Sequence, residues 1–124
     1  MKDKHVVNVV GVECRPVVEE KFNKWHEEVH IPLLLKFPGL LAVTRYRMTE
    51  SKSGAVVEAD YPKYLAIYEF KSEEAFKQYN NSKQYLEARA EMLDTWGGDP
   101  HVGKPGGFSV KWRVQYEVLK TWSK

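Results

Sequence analysis

Valine recurs from His5 to Val12 with Asn8 as the polar break in the run. Side chains branched at Cβ pack well on a pleated surface, so this stretch predicts a buried β-strand. Pro16 suits the first turn of a helix, where its missing N–H costs nothing. Val18, Phe22, Trp25, Val29 and Leu33 then recur at three- and four-residue spacing, while Glu19, Glu20, Lys21, Lys24, Glu27 and Glu28 fill the other positions. That stripe predicts a helix buried on one side, which Pro32 ends or kinks. Pro38-Gly39 marks a turn, and Leu40 to Glu50 reads as a second strand. Lys52-Ser53-Gly54 looks like a turn within a connection running to Pro62. Tyr64 to Phe70 is a third strand. Ser72 is an N-cap followed by Glu73 and Glu74, where the helix dipole favours negative charge. An apolar stripe of Ala75, Phe76 and Tyr79 continues through Leu86, Ala90 and Leu93, and Asn80-Asn81-Ser82 breaks it, so a second capped helix starts near Ser82. Gly97 to Gly107 holds five glycines and two prolines, a loop. From Phe108 to Val118, Phe108, Val110, Trp112, Val114, Tyr116 and Val118 alternate with polar residues, which predicts a strand with one buried face.

The order strand, helix, strand, strand, helix, strand is the ferredoxin-like βαββαβ arrangement, an α+β fold with a four-stranded antiparallel sheet and helices on one face. Two helical regions cover one face of such a sheet. On the third strand Tyr64, Ala66, Tyr68 and Phe70 share one face, and Leu65 and Ile67 share the other. Both faces are apolar, so the second needs a cover, and a symmetric second copy supplies it most simply. A homodimer packed sheet on sheet is the expectation.

The chain of 124 residues reads as a single domain, 1–124. At 43% hydrophobic and 13% aromatic it has enough apolar side chain for a packed core. Lys and Arg number 19 and Asp and Glu 17, a charge of +2 that argues against a dedicated nucleic-acid binder. Cys14 is the single cysteine, which excludes an internal disulfide and a cysteine-rich zinc site. Neither a signal-peptide stretch nor a membrane span stands out, and the expected location is cytoplasmic.

Three motifs invite chemistry. His26-Glu27-Glu28-Val29-His30 matches H-E-x-x-H, with both imidazoles about 6 Å apart along one helix side. Glu28 at an inward position, Pro32 just beyond, and no third ligand other than Glu87 or Glu91 weigh against a zinc hydrolase. Gly98 to Lys104 resembles a phosphate-cradling G-x-x-x-x-G-K, yet Pro105 replaces the magnesium-binding hydroxyl and the loop precedes a strand, not a helix. Arg45, Arg47, Lys111 and Arg113 would form a basic strip were their strands neighbours, with Tyr46, Trp112 and Tyr116 as stacking platforms for a single strand. The first strand, dominated by Val6, Val7, Val9 and Val10, lacks the aromatic signature of such binders. No nucleic-acid partner is expected.

Phe22 through Pro32, then Phe37-Pro38-Gly39-Leu40 and Arg45-Tyr46, resemble the dimeric α/β-barrel superfamily, closest to EthD-like and related uncharacterised proteins. Their first helix ends in a tryptophan followed by a His-x-Pro sequence. Tyr64 to Phe70 and Ser72 to Phe76 are similar to the third strand and second helix of that group. The resemblance implies a ferredoxin-like subunit pairing as a dimeric α/β barrel, with a pocket between helices and sheet. The superfamily spans cyclases, isomerases, cofactor-free monooxygenases, haem-degrading enzymes and proteins without known activity.

Within that frame the expected ligand is a small, partly apolar organic molecule. His30 is the candidate for moving a proton, because imidazole titrates near neutrality. Tyr46 or Tyr68 would polarise a carbonyl or phenolate oxygen, Arg45 would hold an anionic group, and Trp25, His26 and Trp112 would line the site. No cofactor and no metal is called for, although haem enters through the family. Acid/base or oxidative chemistry without a cofactor stands against a non-enzymatic metabolite-binding or structural protein, and the sequence does not decide between them.

Overall fold

A computed structural model describes residues 4–49, 61–98 and 107–124. Four strands, β1 (Val6–Cys14), β2 (Leu40–Arg47), β3 (Tyr64–Phe70) and β4 (Phe108–Glu117), form one antiparallel sheet in the order β2-β3-β1-β4. The α+β ferredoxin-like architecture is the expected one. β3 has the bounds predicted, β1 runs on to Cys14, and β2 stops at Arg47. The expected turn at 52–54 and nearly all of the glycine loop, with its G-x-x-x-x-G-K match, lie outside the described residues.

The valine strand lies in the centre of the sheet, where its stiff side chains meet neighbours on both sides. Val10, for example, stands between Ala66 of β3 and Arg113 of β4. Val6, Val10, Tyr64, Ala66, Tyr68 and Phe70 are buried beneath the helices. Phe22 and Phe70 have no exposed surface at all, and they mark the centres of two aromatic clusters, one under each helical layer.

The first helical layer departs from its predicted stripe. A 3₁₀ turn, Pro16–Val18, leads into α1 (Glu19–Trp25), then a π-helical turn, His26–His30, then α2 (Ile31–Leu34). The Ile31 N–H reaches back five residues to the His26 carbonyl. The wider turn inserts one extra residue, so the inward positions beyond it move along the chain by one. Val29, expected inside, is 37% exposed, and Leu34 is buried in place of Leu33. Pro32 does not end the layer, because the backbone stays helical through His30 and Ile31 into α2.

The second layer has the expected break and caps but not the expected stripe, for Leu86 is 54% exposed and Ala90 exposed while Ala88, Met92 and Trp96 face the core. α3 (Glu73–Tyr79) and α4 (Lys83–Trp96) are each capped by a serine. Ser72 Oγ accepts from the Ala75 N–H at 3.0 Å and Ser82 Oγ from the Tyr85 N–H at 3.1 Å. Gly97 closes α4 at φ +66°, where a side chain would be strained, and its N–H bonds the Leu93 carbonyl.

β4 corrects a second expectation. A bulge opposite Gly11 and Val12 steps the register from Trp112 to Val110, past Lys111, and shifts the alternation. Phe108 and Val110 face the helices, whereas Trp112, Val114 and Tyr116 pair with Gly11, Val9 and Val7 on the opposite face. Beyond the bulge it is Arg113 that turns under the helices. Gly11 lets the Trp112 indole lie flat across the sheet, for a Cβ there would come within 2.9 Å of the ring. β2 and β4 are opposite edges of the sheet, so Arg45 and Arg47 form no strip with Lys111 and Arg113.

Candidate functional site

Between the helices and the sheet lies a cavity that opens to solvent. Its floor is Asn8, Val10 and Val12 of β1, with Ala66 and Tyr68 of β3 and Val110 of β4, and the exposed Arg113 of β4 stands at its rim. Trp25, His26, His30 and Leu34 form one wall, and Tyr79, Tyr85, Arg89 and Met92 of the second layer form the other.

The π-turn places the two histidines here. An α-helical stripe would have carried Val29 inward, but the added residue turns His30 towards the cavity beside His26. Four rings stack in sequence. Phe22 lies 5.3 Å from His26, His26 5.6 Å from His30, and His30 4.7 Å from the Trp25 indole, with interplanar angles of 18°, 23° and 24°. The indole N–H of Trp25 donates to Glu91 Oε1 at 2.8 Å, and the Thr95 hydroxyl donates to the same carboxylate. Glu91 therefore holds the indole, and the indole is the shelf on which His30 rests.

His26 is buried, and its Nδ1 has no hydrogen-bond partner among the described residues. Burial above all, then the nearby His30 and Arg45, holds its pKa well below the usual imidazole value, so it stays neutral. Burial likewise pushes the Tyr68 and Tyr79 hydroxyls far above the usual phenol range, leaving both as protonated donors. Stacked imidazoles present faces to one another and do not converge on a common point. Among the described residues no group of three His, Cys, Asp or Glu side chains is placed to hold a metal ion.

The structure brings Trp25, His26, His30 and Tyr68 to this cavity and sets the other expected site residues elsewhere. Arg45 lies at the far edge of the helix-covered face. It donates to Glu27 at 2.5 Å and to Asn23 at 2.8 Å, and its guanidinium stands 5.2 Å from the Tyr64 ring centre. Tyr64 in turn donates to Glu19, which pairs with Lys63 at 2.6 Å. Tyr46 and Trp112 stand on the opposite face of the sheet. Sequence reasoning missed Asn8, Tyr79, Tyr85, Arg89 and Arg113. Asn8 carried a signal, a polar side chain within a buried valine strand. Arg113 carried none, because only the bulge turns it inward.

Residues 5–102 match the family described as a domain of unknown function, DUF4286, and the chain belongs to it. No curated protein sequence matches the chain. Among solved structures the chain is similar to HapK from Hahella chejuensis, with a TM-score of 0.66 at 11% identity over 96% of this chain and 97% of that one. It is also similar to an ethyl tert-butyl ether D (EthD) family protein from Bacillus halodurans, with a TM-score of 0.57 at 15% identity over 94% and 99%. A mutant of SnoaB, a cofactor-independent oxygenase from Streptomyces nogalater, gives 0.57 at 14% identity over the whole of both chains. These likenesses establish the ferredoxin-like fold that the EthD-like resemblance implied. Among the described residues no helix is long and apolar enough to cross a membrane.

Proposed function

We propose that the protein binds a small, partly apolar organic molecule in the cavity between helices and sheet and acts on it without a cofactor, by acid/base or oxidative chemistry. The observation that carries this reading is the meeting of His26, His30 and Tyr68 in one aromatic-walled cavity. A cofactor-independent oxygenase of the same fold supports it by analogy. In this reading His30 takes a proton from an acidic C–H or O–H of the ligand. Tyr68, held protonated, donates to the oxygen on which charge collects, and neutral His26 and Trp25 exclude water around the anion. Tyr46, Arg45 and Trp112 take no part at that position. Arg45 instead fastens α1 to β2.

A homodimer in the cytoplasm completes the proposal. Val7, Val9, Leu65, Ile67, Trp112 and Val114 share the sheet face that the helices leave bare. A second copy packed on that face would remove this apolar area from water. Native mass spectrometry should then find twice 14.4 kDa, and a monomer at micromolar concentration would overturn the pairing.

Anthrone is a suitable probe of the chemistry, since with dioxygen it yields anthraquinone and water in balanced stoichiometry. Wild-type protein is expected to accelerate that conversion, and His30→Ala to abolish the acceleration while unfolding at nearly the same denaturant concentration. Retention of anthrone without product would favour the second reading, a non-enzymatic metabolite-binding protein. A large stability loss in His30→Ala with ligand binding unchanged would make His30 structural. The zinc hydrolase reading has no support in the stacked geometry of the histidine pair.

A further inference from the structure

The residues that line the cavity have a one-sided charge. Arg89 of α4 and Arg113 of β4 both reach it, the two histidines lie deeper, and no aspartate or glutamate lines it among the described residues. The chain as a whole is almost balanced, with 19 basic and 17 acidic residues, so this asymmetry is local. Glu91 serves the Trp25 indole, while Glu27 and Glu19 serve Arg45, Lys63 and Tyr64 at the β2 edge. Arg113 is exposed and makes no ion pair among the described residues.

A cleft with walls of low dielectric constant and charge of a single sign concentrates its field on whatever enters. Guanidinium forks match a carboxylate in geometry as well as charge. The apolar end, with Trp25, Leu34, Met92 and Phe108, suits a ring system and offers an anion no partner. The ligand therefore has two ends. We infer that the cavity selects an aromatic organic acid, its carboxylate held at the mouth by Arg113 and Arg89 and its ring inserted against Trp25 and the histidine pair.

This inference rests on the ligand-binding reading above and goes further by naming the ligand's charge. Arg113 would act in binding, since it stands at the mouth and not among the groups proposed to move a proton. Its sheet position also explains a use for the β4 bulge, which turns this one arginine beneath the helices and leaves its neighbours Trp112 and Val114 on the bare face.

Titration calorimetry with 2-naphthoate and anthracene-2-carboxylate, each beside its methyl ester, tests the charge selection. At low ionic strength each acid is expected to bind about tenfold tighter than its ester, as charge-assisted hydrogen bonds from arginine imply. Arg113→Gln should erase that preference while ester binding stays unchanged, and Arg89→Gln should diminish it. Added salt should shrink the preference, because the mouth is open to solvent. Equal binding of acid and ester, or a preference that survives in the Arg113→Gln and Arg89→Gln double variant, overturns the inference and leaves the ligand-binding reading standing. Binding of none of the four compounds overturns both.

Discussion

From Ser82 to Gly97 the second helical layer is regular. A serine caps it, a left-handed glycine closes it, and Ala88, Met92 and Trp96 are buried at four-residue intervals. From Pro16 to Leu34 the first layer changes its winding three times, and α1 starts at Glu19 behind Val18, which gives no side-chain cap. Both layers cover the same sheet face and bury comparable aromatic side chains. The difference lies in what the irregularity places. A continuous α-helix over the first layer would have carried Val29 and Leu33 inward and left His30 outside. The π-turn turns an imidazole towards the cavity and keeps a leucine, Leu34, in the core. The regular layer is built by local rules, and the irregular one by what it must present.

Deletions give the sharpest contrast between the layers. Removing Ala90 rotates everything beyond it by about 100°, carrying Met92 and Trp96 out of the core, and should cost more than about 5 kcal/mol. Removing Val29 takes out the extra residue of the π-turn, restores α-helical winding with Leu34 still inward, and should cost no more than about 2 kcal/mol. Urea unfolding of the two variants checks this, and equal losses would show that the π-turn is as deeply built into stability as α4.

Phe22→Ala comes next in size. The ring is fully buried and touches His26, Tyr64, Trp96 and Phe108, so about 3–5 kcal/mol should be lost. The same substitution at half-exposed Leu86 of α4 should cost under about 0.5 kcal/mol.

A pH effect should separate the layers more finely. His26 is held below its ordinary value of 6.5 when folded. Just below that value the unfolded chain takes up a proton that the folded chain refuses, so this group's contribution is complete above pH 6.5 and falls as the pH drops. The slope reaches at most about 1.4 kcal/mol per pH unit. Chemical denaturation of wild type and His26→Phe between pH 5 and pH 8 should show the slope in the difference between them, and parallel profiles would place His26 in a wetter setting. In the regular layer Ser82→Ala should cost about 1 kcal/mol through the lost N-cap, which urea unfolding checks.

The pattern of residues was enough for most of the architecture. Tyr64 to Phe70, the serine caps and the two-sided third strand were all readable, because period-two alternation and side-chain capping act between near neighbours. Trp25 and Tyr68 were readable as inward-facing because they lie on the apolar stripe and strand face, whereas His26 and His30 flank that stripe and reach the cavity through the π-turn. Tyr46, Arg45 and Trp112 have equally suggestive chemistry, but their position depends on which strands adjoin and which face each residue takes. The pairing of β2 with β3 decided those questions for Arg45 and Tyr46, and the bulge at Lys111 decided them for Trp112.

What the sequence determined by itself is the order of elements, their lengths to within a few residues and the need to cover two apolar sheet faces, all of which follow from local propensity and periodicity. What only the tertiary structure decided is which side chains meet. A π-turn and a bulge each shift the facing of everything beyond them, and both arise where packing against the rest of the molecule outweighs the regular winding of a single segment.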